Sequence, residues 1–71
     1  MGEYSSEIEG IVVESLNSQV FCVKLENGHV IHAKLSNKMH TRKISVCTND
    51  RVLVEITPFD PNHGNITYRY R

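Results

Sequence analysis

The chain has 71 residues, 39% of them hydrophobic, with eight basic and eight acidic side chains and a formal net charge of zero. This is room for one small globular domain and no deep hidden cavity, so function falls to exposed surfaces. No apolar run approaches the about 20 residues that cross a bilayer, and the N-terminus lacks the basic lead and apolar centre of an export signal, so neither membrane insertion nor secretion is expected.

Residues 1–7, with Glu3 and Glu7 and no cation, read as a flexible acidic tail. The domain then runs over 8–71. Its first segment, Ile8 to Leu16, is rich in β-branched residues and interrupted by Gly10, which predicts a bulge or sharp coil in one long strand. Asn17-Ser18 supplies a turn. In Val20 to Leu25 the alternate residues Phe21, Val23 and Leu25 are apolar, giving a strand with one core face. Asn27-Gly28 follows, a strong hairpin signal because tight primed turns need positive φ. Beyond it Ile31, Ala33 and Leu35 point inward while Val30, His32 and Lys34 point out.

Between Ser36 and Lys43 the alternation stops. Ser36 or Asn37 can cap one or two helical turns, with Met39 anchored to the core. Ile44 and Val46 bring the chain back. Val52, Val54 and Ile56 then form the inner face of a fourth strand, Pro58 to Gly64 reads as the main loop, and Asn65 to Tyr70 gives a fifth strand with Ile66 and Tyr68 inside. Three strands, a short helical connector and two more strands predict an all-β, five-stranded Greek-key barrel of the oligonucleotide-binding type (OB-fold). An SH3-like barrel is the competing architecture.

The net charge hides an asymmetry. Residues 1–14 hold four glutamates and no Lys or Arg, so the compensating positive excess lies beyond them. Residues 34–43 are the extreme, with Lys34, Lys38, His40, Arg42 and Lys43 and no acid. Every Lys and Arg falls outside the core by parity, and clustered cations are what phosphate neutralisation requires. Aromatic platforms for bases are scarcer: Phe21 and Tyr68 share core parity, leaving Phe59, Tyr70 and Tyr4 freer. Cys22 and Cys47 form no C-x-x-C pair and match no zinc spacing with the histidines, so ordinary thiols in a reduced compartment, no metal and no cofactor are expected. Acids are dispersed and no glycine-rich phosphate loop is present, which argues against an enzyme.

The run Phe21-x-Val23-x-Leu25-Glu26-Asn27-Gly28-His29, then Ala33, Ser36-x-Lys38-Met39, Asp50-Arg51-Val52, Val54-Glu55, Pro58-Phe59-Asp60 and Tyr68-Arg69-x-Arg71 resembles bacterial and organellar translation initiation factor one. The resemblance covers Ile8 to Arg71. It implies a monomeric RNA-binding OB-fold of the cytoplasm, or of an organellar stroma or matrix. Its implied partners are the small ribosomal subunit, bound at the aminoacyl site through ribosomal RNA and a ribosomal protein, and the other initiation factors, which it assists in selecting initiator transfer RNA. Matched residue by residue, the implied RNA-binding positions are His29, Lys38, Met39, Arg42, Lys43, Arg69 and Arg71. Lys34 joins them where the family often has histidine, and His40 where it usually has arginine. The family also usually has Gly at Asn37 and Asn49, Arg at Ser45 and Asn65, and Lys at His63, so this chain carries fewer full charges. The alternatives are a cold-shock-like single-stranded RNA chaperone and a protein-interaction barrel using the acidic tail and the exterior at Cys22, Val30 and Leu53.

Overall fold

A computed structural model describes residues 6–42 and 44–70. Five strands, β1 (Ser6–Ser15), β2 (Val20–Leu25), β3 (Val30–Leu35), β4 (Arg51–Thr57) and β5 (Asp60–Arg69), close into a barrel in the order β1-β2-β3-β5-β4, with one short helix, α1 (Asn37–Thr41), between β3 and β4. This is the Greek-key barrel expected from the sequence. All pairings are antiparallel except β3 with β5. Among the described residues closure leaves no long unpaired edge.

The inward residues of each strand build the core. Val12, Val23, Ala33, Val52, Val54 and Ile66 are 0% exposed and Ile31 is 2% exposed. Full burial of each valine or isoleucine contributes about 1.5–3 kcal/mol before the entropy of ordering is subtracted. Because the pleat repeats every two residues, a one-residue slip would expel this whole set, and that fixes the register.

Three features of the fold depart from the sequence reading. Strand β1 begins at Ser6, so Ser6 and Glu7, expected to belong to the tail, pair with Ile56 and Glu55; residues 1–5 lie outside the described residues. The irregularity in β1 falls between Val12 and Glu14, not at Gly10. Gly10 instead serves close approach: it pairs with Leu25 on one side and Val52 on the other. A Cβ there would stand 2.6 Å from Val23 Cγ1 and 2.8 Å from the Lys24 carbonyl oxygen.

The expected loop from Pro58 to Gly64 is the third. Only Pro58-Phe59 turns the chain, because β5 already starts at Asp60 opposite Thr57. Residues His63 to Ile66 then lie parallel to His32 to Leu35 while the same strand pairs β4 on its other side. Long-range ladders convert what reads locally as a loop into strand.

The connector is tied down at several points. The Ser36 N–H donates to the Ile66 carbonyl at 3.0 Å and the Ser36 hydroxyl accepts from the Met39 N–H at 3.3 Å, so α1 is launched from β5 and capped as predicted. Farther on, the Cys47 N–H donates to the Asp50 carboxylate at 2.8 Å, and Asn49 adopts a φ of 77°. Of the two asparagines that stand at glycine positions of the family, only Asn49 needs the left-handed region, which asparagine tolerates.

Candidate nucleic-acid interface

Lys38 and Arg42 are four residues apart on α1 and its C-cap, which places them on one side of the helix. Met39, 2% exposed, pins that helix to the barrel. Facing it is the end of β5. There the register slips between Leu53 and Val54, so that Thr67 is an extra residue and the parity of the strand reverses. Tyr68, expected inside, is therefore 56% exposed, and it meets Tyr70 edge-on with ring centroids 5.0 Å apart.

Lys38, Arg42, Arg69 and Tyr68 line a groove of about 310 Å³ whose floor includes Met39 and Ile44. Among the described residues no acid lines it. The Arg69 guanidinium donates from Nη1 to the Ser45 carbonyl at 2.6 Å, which holds the segment after α1 against β5 and orients the charge. Among the described residues the one carboxylate within 4 Å of a basic side chain is that of Asp60, beside His63, so no described carboxylate lies that near a described lysine or arginine.

Arg69 also borders a second groove with Arg51 and Tyr70, where Asp50 is the acid. Arg51 in turn shares a third with Lys24, the two standing either side of Ile11 in register, with Glu9 and Glu26 nearby. Lys38, Arg42 and Arg69 thus meet without an acid in the α1 groove, whereas Arg51 and Lys24 beyond it are accompanied by Asp50, Glu9 and Glu26.

Tyr70 carries a titration signature. Its hydroxyl is raised above the ordinary tyrosine value, first by partial withdrawal from water, then by the charge and hydrogen bond of Glu9, with smaller effects of Tyr68 and Glu7. A raised folded-state value leaves stability intact below the unfolded tyrosine value, about 10, and removes it as pH climbs toward the folded one. Tyr70→Phe is therefore expected to flatten the fall of the thermal midpoint above that pH, measured by circular dichroism.

The remaining expected contact residues are divided. His40 points away from the groove and accepts, through Nε2, a bond from the Gln19 amide at 3.0 Å. His29 lies beside the β2–β3 turn with its Nε2 3.3 Å from Asn62 Oδ1. Lys34 lies elsewhere, in a cleft with His32, His63, Glu55 and Asp60. Met39, expected both to anchor the helix and to face RNA, is buried in the core as the first expectation requires and leaves a base little surface. Lys43 and Arg71 lie outside the described residues. Parity counting missed Tyr68, because the extra residue at Thr67 that turns it outward has no local signal.

A family model described as Translation initiation factor 1A / IF-1 matches residues 2–71. Among solved structures, the chain is similar to the solution structure of translation initiation factor IF-1 from the Wolbachia endosymbiont strain TRS of Brugia malayi. The two are 35% identical, with 99% of this chain and 83% of that one covered and a TM-score of 0.77. It is also similar to YjeQ from Thermotoga maritima, at 28% identity and a TM-score of 0.74, over 93% of this chain but 23% of that one. The barrel there corresponds to a segment of a larger protein. No helix among the described residues is long and apolar enough to cross a membrane.

Proposed function

The chain belongs to the translation initiation factor 1A / IF-1 family, and from that premise we propose that it binds the small ribosomal subunit at the aminoacyl site with the groove between α1 and β5 against ribosomal RNA. The observation that carries this reading is the acid-free groove in which Lys38, Arg42 and Arg69 surround an exposed tyrosine. Three cations with no carboxylate partner among the described residues neutralise phosphates and release condensed counterions, while Tyr68 offers a face to an unstacked base. Phosphate contacts set position; the ring and backbone near it contact bases. Such a factor acts as a monomer without a cofactor, alongside a ribosomal protein and the other initiation factors, and performs no chemistry itself.

Sedimentation with small and with large subunits across a salt series tests the proposal. Binding to the small subunit is expected, with log K falling against log salt by roughly 0.7–0.9 per phosphate contact, hence by about 2–3 for three contacts. A flat salt response, or equal binding to both subunits, overturns it. The exposed Tyr68 also gives the cold-shock-like alternative a stacking platform; that alternative requires free pyrimidine-rich oligonucleotides to bind as tightly as subunits do.

A further inference from the structure

Away from the basic groove, the parallel seam between β3 and β5 carries a pair of histidines. His32 and His63 are direct partners in that ladder, both exposed, with ring centroids 6.0 Å apart and planes inclined at 66°. His63 Nδ1 stands 3.0 Å from Asp60 Oδ1, and since a carboxylate oxygen only accepts, Nδ1 is the donor and Nε2 is the ring nitrogen not engaged by Asp60. A carboxylate behind an imidazole is how proteins fix the tautomer of a metal-binding histidine and raise its basicity.

The spacing fits a shared ion. With a metal–nitrogen distance of about 2.0–2.1 Å, each ring centroid stands roughly 3.2 Å from the metal, so two imidazoles on one ion have centroids about 5 Å apart at the tetrahedral angle and about 6 Å at a wider one. The surrounding cleft, about 430 Å³, adds the oxygens of Glu55, Asp60 and Asn65 and one cation, Lys34, which the two carboxylates outweigh. This balance favours a cation over a phosphate. Imidazole donors select zinc, copper or nickel rather than magnesium or calcium.

We propose that His32 and His63 form a two-imidazole site for a divalent transition-metal ion at the seam that closes the barrel. Among the described residues no three of His, Cys, Asp and Glu form a ready-made cluster, so water or a carboxylate that swings in completes the shell and the site is open and exchangeable. An ion there ties β3 to β5 and stabilises the folded barrel by mass action.

The test titrates the full chain with zinc sulfate at neutral pH, following the imidazole nitrogens by long-range 1H–15N correlation and, in parallel, the thermal midpoint. One equivalent is expected to bind, shifting His32 and His63 while His40 stays put, and raising the midpoint. His32→Gln and His63→Gln each weaken binding at least about tenfold, and Asp60→Asn by roughly ten- to a hundredfold through the loss of ring orientation. Both histidines are exposed, and a metal-free midpoint near that of the parent shows that each variant folds. Cys22, the cross-strand partner of His32 on its other side, is the control: Cys22→Ser leaves zinc binding unchanged. The proposal is overturned by the absence of saturable binding at millimolar zinc, by binding that survives both glutamine variants, or by binding that Cys22→Ser abolishes.

Discussion

Replacing Lys38 and Arg42 together by alanine is expected to weaken small-subunit binding on the order of a hundredfold, at about 1.5 kcal/mol for each lost charge-assisted contact. The same double variant lowers the salt slope by about 1.4–1.8, the share of two phosphates. Its fold is expected to persist. Neither side chain is within 4 Å of a described carboxylate, so no ion pair among the described residues is broken and no buried charge is stranded. What folding loses is the favourable placement of cations near the C-terminus of α1, a few tenths to about 1 kcal/mol. Lys34→Ala, on another side of the barrel, controls for general loss of charge and leaves binding nearly unchanged. Arg69 is unsuited to this experiment because its bond to the Ser45 carbonyl mixes a structural role with an electrostatic one. If the double variant bound as tightly as the parent and kept its salt slope, the α1 groove would not be the RNA surface.

How much of this surface could be read from the sequence follows from which interactions are local. Strands β2, β3 and β4 have one buried face each, and strict alternation placed Phe21, Ala33 and Val54 inside, as observed. The cap on α1 and the burial of Met39 were equally legible, because Ser36 and Met39 act within one helical turn. Connector cations were legible too, being neighbours in the chain. Their union with Arg69 and Tyr68 depends on β5 packing beside the helix and on one extra residue at Thr67. A single inserted residue reverses every later side chain, and nothing in Ile66-Thr67-Tyr68 announces it. The strand from Asp60 was hidden for a related reason. Pro61, Asn62 and Gly64 are poor strand formers, and the strand is held by distant partners: Asp60 by Thr57 on β4, His63 by His32 on β3, and Gly64 by Ala33 on β3 and Ile56 on β4.

Met39 is where those two levels meet, and its substitution has the largest expected effect on the fold. A helix of five residues is far below the about 12–15 residues at which isolated helices become marginally stable, so α1 persists through its cap and its one buried side chain. Met39→Ala is expected to cost about 2–5 kcal/mol, from lost transfer energy and the cavity left behind. A domain of 71 residues has only about 4–10 kcal/mol to lose. The thermal midpoint should therefore fall by roughly 10 °C or more, and subunit binding should fall with it although every cation is still present. Met39→Leu separates anchoring from contact, because a volume-conserving swap costs less than about 1.5 kcal/mol. If Met39 holds the helix in place, the leucine variant keeps both its midpoint and its affinity, and amide exchange across Lys38 to Arg42 is slow in it and fast in the alanine variant. A leucine variant with an unchanged midpoint and lost affinity would mean that the thioether itself reaches the RNA, and that the 2% of Met39 left exposed widens when the subunit docks.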